Sequence, residues 1–202
     1  IIPKIKNKNF FTYGFTKEAN FRIINSIYKK NHSKFDMIIS IPGLKKTKLK
    51  NIQLNLMGSY NILNAASAVA LCLHIGINIK VIRNVLKKFS GIERRLTKVF
   101  EDKDREFFDD YAHHPTEIKS VLNSIRLINK DRKIISVFQP HRYSRLKLLK
   151  NEFASSFHDS NVVILCPVFS AGEKIDNKYD TFNFAKLIAK NSNVQVITVQ
   201  NG

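Results

Sequence analysis

Glycine and cysteine are both scarce in this chain. Seven glycines stand among 202 residues, and no two of them are five positions apart. A phosphate-cradling loop of the form GxxxxGK[ST] is therefore absent from the sequence. The two cysteines, Cys72 and Cys166, each lie inside an apolar segment. They read as buried free thiols of a reducing cytoplasm rather than as a disulfide framework. No CxxC or HExxH spacing offers zinc a ready set of ligands.

Long apolar runs are missing as well. Stretches such as "NAASAVALCL" are too short to cross a bilayer. The opening "IIPKIKNKNFF" lacks the ordered basic, apolar and small-residue regions of a signal peptide. It also lacks an initiator methionine, so a piece of a longer polypeptide is expected. Acidic residues are few: 16 Asp and Glu against 34 Lys and Arg give a net charge of +18. Such a balance suits nucleic acid as a partner. The lysines are scattered, however, among abundant Ile and Asn, as in products of AT-rich genomes. Clusters such as "LKKTKLKN" are short, and there is no long basic tail. The same field would draw a phosphorylated substrate, so the charge alone does not carry nucleic-acid binding.

What is present reads as an α/β chain in two parts joined near residues 90–96. The composition, 44% hydrophobic and 25% charged, is enough for a packed core. The first part opens with β-forming stretches, "NFFTYGF", "NFRIINSIYKK", "KFDMIISIPG" and "TKLKNIQLNLMG". Two helices follow. The first starts at Ser59 and ends at Gly76, and the second carries Val81, Val85 and Phe89 on one stripe. From about Leu96, strands and helices alternate. "REFFDDYA", "RKIISVFQP", "NVVILCPVFS" and "NVQVITV" are the strands, which predicts right-handed crossovers and a mostly parallel sheet.

In such a sheet, ligands bind beyond the carboxyl ends of the strands. Three predicted strand ends carry unusual residues. "FDDYAHHPTE" supplies Asp109, Asp110, Tyr111, His113 and His114. "QPHRYSR" supplies His141, Arg142 and Arg145, and "FSAGEK" supplies Gly172, Glu173 and Lys174. The first could ligate a metal, act as an acid–base pair or grip a nucleotide. Adjacent histidines point in different directions, which argues against zinc, and one of them could simply cap the next helix. Arg142 and Arg145, three apart at a helix start, are expected to face the same way and hold a carboxylate or phosphate. Asn61 and Asn64, three apart on the first helix, could meet a base edge or a neighbouring loop, or belong to the helix cap. Arg94 and Arg95 lie at the junction of the two parts.

"GSYNILNAASAVALCLHIGI", "FSGIERRL", "FFDDYAHHPTEI" and "FQPHRYSRL", in this order and spacing, resemble the Mur ligase family. Within it they are most similar to the branch that joins L-alanine to UDP-N-acetylmuramate. The branch that recycles murein tripeptide shares an "HHPT" motif and ranks second. The resemblance runs from about Tyr13 to the end. It implies a bacterial cytoplasmic enzyme using ATP and Mg²⁺, in which the muramate carboxylate becomes an acyl phosphate that the alanine amine attacks. Residues 1–92 would be the last part of a central ATP-binding domain, and 93–202 a Rossmann-like C-terminal domain, incomplete at its end.

Position by position, the resemblance implies that Asn61 and Asn64 border the ATP site and Arg95 reaches the nucleotide phosphates. It implies that Asp110 holds the ribose, while Tyr111, His141, Arg142 and Arg145 help place alanine and the muramoyl end. His113 and His114 are motif residues on the substrate side. Arg95, His141, Arg142 and Arg145 are the residues expected in catalysis. The family's glycine-rich loop and magnesium ligands are expected upstream, so the isolated chain is expected not to turn over. One departure is Tyr60, where the family usually has His.

Overall fold

The computed structural model describes residues 10–176 and 179–199. The chain divides into two compact units, Ile1–Gly91 and Ile92–Gly202.

In the first unit a four-stranded sheet runs in the order β1 (Tyr13–Gly14), β2 (Phe21–Tyr28), β3 (Ser33–Ile39), β4 (Thr47–Leu54). β1 is parallel to β2, and the other pairs are antiparallel. The period of two in each strand selects one face. Phe21 and Ile23, Phe35 and Met37, and Ile52 and Leu54 all turn inward and are buried. Helix α1 (Ser59–His74) meets them with Ile62, Ala65, Ala66 and Val69, a three- and four-residue repeat. The two alanines leave room for the larger side chains of the sheet. Each large side chain so buried contributes about 1.5–3 kcal/mol.

Helix α1 stops at Gly76, whose φ of +85° suits glycine best. The Ile77 N–H then donates back to the Cys72 carbonyl at 2.9 Å. Helix α2 (Ile79–Lys88) is capped by Asn78, which accepts from the Lys80 N–H at 2.8 Å. Its inward residue is Ile82. The Val81, Val85, Phe89 stripe exists, but it faces outward and all three are exposed. Arg83 fastens α2 to the edge strand, donating to the Lys50 and Asn51 carbonyls at 2.6 and 3.1 Å. Gly91 closes the unit at φ +100°, and a Cβ there would lie 2.9 Å from the Leu56 side chain.

Asp36, in the middle of β3, holds irregularities on both sides of it. Asn25 on β2 and Asn51 on β4 both have left-handed backbones, φ +52° and +56°. The register slips beside each of them. The Asp36 carboxylate accepts from the Asn51 N–H at 2.9 Å and from the Asn25 side-chain amide at 2.9 Å. These bonds, with Lys48 at 3.5 Å, hold its carboxyl below the ordinary carboxylate range.

The second unit begins with a hairpin, β5 (Thr97–Glu101) and β6 (Glu106–Asp109). Helix α3 (Pro115–Ile128) leads to β7 (Ile135–Phe138). Helices α4 (Tyr143–Leu148) and α5 (Lys150–Ala154) lead to β8 (Val162–Leu165), and α6 (Thr181–Ser192) to β9 (Gln195–Thr198). β7, β8 and β9 form a parallel sheet in that order. Its core gathers Ile118, Phe138, Leu146, Phe153, Phe157, Leu165 and Phe184. The structure is α/β, as expected, with two differences in detail. The strand in "REFFDDYA" pairs with β5 in a hairpin instead of entering the parallel sheet. Local chemistry explains it. Asp102 accepts from the Asp104 and Arg105 N–H groups at 2.9 and 2.7 Å, closing a tight turn, and Phe100 packs edge-on against Phe107 at 5.6 Å. The helix expected over "YSRLKLLKNEFASSF" breaks at Leu149, where φ is −115°.

Arg126 ties the end of α3 to the loop before β8. Its guanidinium donates to the carbonyls of Asp159, Asn129, Lys130 and Arg132 and to Asn161 Oδ1, at 2.8–3.3 Å.

Two stability measurements follow from these fasteners. Arg126→Lys keeps the charge but not the fork, and should lower unfolding free energy by about 1–3 kcal/mol in urea. Asp36→Ala should cost about the same. Because Asp36 titrates below its unfolded value of about 4, its contribution is present above that pH and lost as pH falls through the folded value. The gap between wild type and Asp36→Ala should therefore close on acidification; a gap that stays constant to pH 2 would contradict this account.

Candidate functional site

The second unit brings most of the singled-out residues together at the start of α3 and the end of β7. The segment before β5 is folded back by main-chain bonds. The Tyr111 N–H donates to the Arg94 carbonyl at 2.8 Å. The Leu96 N–H donates to Asp110 Oδ2 at 2.7 Å, and the Ala112 N–H to Oδ1 at 2.7 Å. Arg94 and Leu96 both have left-handed backbones, φ +58° and +51°. Strain of this kind persists only where the surroundings impose it, and here Asp110 does so. Burial pushes its carboxyl up, against the pull of the two N–H groups and of Arg95.

Helix α3 starts on a reciprocal cap. His114 accepts from the Thr116 N–H through Nδ1 at 3.3 Å, so it is the capping residue. Glu117 reaches back to the N–H groups of His113 and His114 at 3.0 and 3.1 Å. Its other oxygen faces Arg95 at 3.5 Å. Burial works to raise the Glu117 carboxyl, but those N–H groups, His113 and Arg95 outweigh it and hold it low. Glu117 carried no role in the sequence reading. The signal for it was a capping residue three positions ahead of a glutamate, followed by an apolar helix.

Side chains then form a continuous row. Arg94 lies over the Tyr111 ring at 5.0 Å and pairs with Asp109 at 3.3 Å. The His113 ring is 5.4 Å from Tyr111 and 6.4 Å from His141. His141 contacts Arg145 at 3.4 Å through Nδ1 and stacks near Phe169 at 5.5 Å. Partial burial, then Arg145 and Arg142, hold the His141 imidazole below its ordinary range, so it is neutral at neutral pH. Arg142 differs from expectation. It precedes α4 at φ +71°, so helical spacing does not govern its direction relative to Arg145.

Asn61 and Asn64 belong to the first unit. The Asn61 amide donates to the Met57 carbonyl at 2.8 Å, ahead of α1, and Asn64 is exposed. A cavity of about 780 Å³ beside Asp110 is lined mostly by apolar residues, among them Phe108, Ile118, Leu122, Val137 and Phe138. None of His113, His141, Arg142 and Arg145 lines it. Among the described residues, no three or more His, Cys, Asp or Glu side chains gather to hold a metal ion, and no helix is long and apolar enough to cross a membrane.

Comparison with known proteins places the chain in a family. The family model described as "Mur ligase, glutamate ligase domain" matches residues 94–201. The UDP-N-acetylmuramate–L-alanine ligase of Pelagibacter ubique is 46% identical over 201 residues, covering 100% of this chain and 43% of that protein. The chain thus spans less than half the length of that curated relative. The crystal structure of a UDP-N-acetylmuramate-alanine ligase from Thermotoga maritima superposes at a TM-score of 0.70 with 23% identity, over 95% of this chain and 39% of that one. A murein peptide ligase from Psychrobacter arcticus superposes at 0.57 with 18% identity, over 94% and 38%. With the family's own domain matched over more than half of its residues, this chain belongs to the Mur ligase family.

Proposed function

We propose that this chain is part of an ATP-dependent ligase that joins L-alanine to UDP-N-acetylmuramate. Residues 1–92 are the last part of the central ATP-binding domain, and 93–202 belong to the C-terminal domain that holds the amino acid. The observation that carries the reading is the row from Arg94 through Tyr111, His113 and His141 to Arg145, which sets an imidazole beside a fixed cation. The 46% identity to a ligase of that name supports alanine over the tripeptide-recycling alternative.

The chemistry fits the residues. Transfer of a phosphoryl group to the muramate carboxylate makes an acyl phosphate, and attack by the alanine amine makes a tetrahedral oxyanion. Arg142 and Arg145 are permanent cations suited to the carboxylate of alanine or to that oxyanion. Neutral His141 can accept a proton from the incoming amine once Arg145 turns from its Nδ1 to the anionic group it holds. Arg95 turns from Glu117 to the nucleotide phosphates. Their pair is partly exposed, so breaking it costs little. Asp110 spends one lone pair of each oxygen on main-chain N–H groups and keeps the others for a ribose hydroxyl. Tyr111 and His113 border the substrate. His114 acts through the helix cap, and Asn61 and Asn64, in the first unit, are the central-domain residues assigned to ATP. Magnesium would balance the phosphate charge, but the described residues offer no cluster fit to hold it, and no step here depends on it.

A chimera tests the proposal. The corresponding C-terminal part of the Pelagibacter ligase is replaced by this chain, and alanine-dependent phosphate release is measured. The chimera should turn over, and the 202-residue chain alone should not. Arg142→Lys in the chimera should lower kcat/KM for alanine by about a hundredfold, because an ammonium cannot reproduce a bidentate guanidinium. His141→Gln should remove the acid limb of the pH–rate profile. A folded chimera that hydrolyses ATP but ignores alanine would overturn the assignment.

A further inference from the structure

The loop after β8 is bound to the loop after β7 more tightly than two strand ends require. The parallel ladder continues past the strands. His141 bridges Phe169, the Phe169 N–H donates to the Pro140 carbonyl at 2.9 Å, and the Arg142 N–H to the Phe169 carbonyl at 2.8 Å. Beyond Phe169 the chain makes a tight turn, with Ala171 at φ +49° and Gly172 at φ +87°. That turn delivers the Glu173 carboxylate to the start of α4. There it accepts from the Ser144 N–H at 3.1 Å and from the Ser144 hydroxyl. These bonds hold the Glu173 carboxyl below the ordinary carboxylate range.

Arg142 is caught between these two attachments. Its N–H is held on one side by Phe169, and the residues that follow it are held by Glu173. A non-glycine residue at φ +71° does not rest there unaided. The same backbone position sets where the His141, Arg142 and Arg145 side chains emerge. We propose that Glu173 is a positioning residue for the basic cluster His141, Arg142 and Arg145, fixing the left-handed turn at Arg142 from which the cluster is presented to an anionic group. This rests on the reading of that cluster as the anion-holding side of the site.

Electrostatics gives the proposal a sign. Glu173 is a negative charge near Arg142. As a charge alone it would repel an anion, and removing it would tighten anion binding. As a positioning residue its removal must weaken binding despite the relieved repulsion. The experiment uses the isotopically labelled 202-residue chain with inorganic phosphate as the probe. Binding is followed at the 141–145 amides and arginine Nε signals, and the Arg142 backbone angle by scalar couplings and NOEs. Glu173→Ala, which removes the acceptor oxygens as well as the charge, should release Arg142 from its left-handed angle and weaken phosphate binding by about fivefold or more, with Tm within about 6 °C of wild type; Glu173→Gln, which keeps one acceptor oxygen, should retain most of the angle. Ser144→Ala, which leaves the backbone N–H bond, should fall between. Unchanged Arg142 geometry in Glu173→Ala, or phosphate bound as tightly or more tightly by that variant, would overturn the proposal. Wild-type shifts confined to surface lysines would count instead against the basic cluster as an anion site, and the Arg142 angle would still decide the role of Glu173.

Discussion

Carboxylates that accept main-chain N–H groups hold this structure in shape. Asp36 secures two bulges of the first sheet. Asp102 closes the β5–β6 turn. Asp110 folds the segment before β5 against the end of β6. Glu117 caps α3, and Glu173 reaches the start of α4. Charge-assisted bonds of this kind are stronger than neutral ones and fix direction as well as distance. In a chain with 34 basic and 16 acidic residues, five of the sixteen carboxylates are used in this way. The scarcity noted in the composition becomes intelligible here, since several acids shape the backbone from which the basic residues project.

The left-handed residues make the same point from the other side. Asn25, Asn51, Arg94, Leu96, Arg142 and Ala171 all lie at positive φ. For Asn25, Asn51 and Leu96, a carboxylate bond is made at the residue itself. For Arg142 and Ala171 it lies two residues further on. Arginine and leucine have no intrinsic preference for that region. Their conformations therefore belong to the fold's long-range contacts, and two of these residues sit within the site.

Much of this was legible in the sequence, and the limits have physical causes. Both helices of the first unit and the parallel strand–helix alternation of the second follow from apolar periodicity and from caps such as Gly76. The motif residues Tyr111, His113, His141 and Arg145 do converge. What periodicity missed was β5, because Thr97–Glu101 has only five residues and no buried one to mark its face. It also read the Val81, Val85, Phe89 stripe as ordinary helical patterning, although that stripe points away from the sheet and Ile82 points toward it. The directions of Arg142 and Arg145 were inferred from helical spacing, and one left-handed backbone angle invalidated the premise. Angles of that kind are set by partners distant in sequence, which no local window contains.

The pairing pattern of the second unit also orders its assembly in time. The β5–β6 hairpin joins strands separated by one short turn, so it can close within microseconds of leaving an extended state. The parallel ladder cannot. Ile135 must find Val162, and Val162 must find Gln195, each across a complete crossover. The entropy of closing those loops is spent before any ladder bond returns it. During that interval the Val162–Leu165 strand, apolar at all four positions, is a sticky edge without neighbours. The same parallel arrangement that aligns the motif loops at one end of the sheet thus makes the second unit slow to close and exposed to aggregation while it does so.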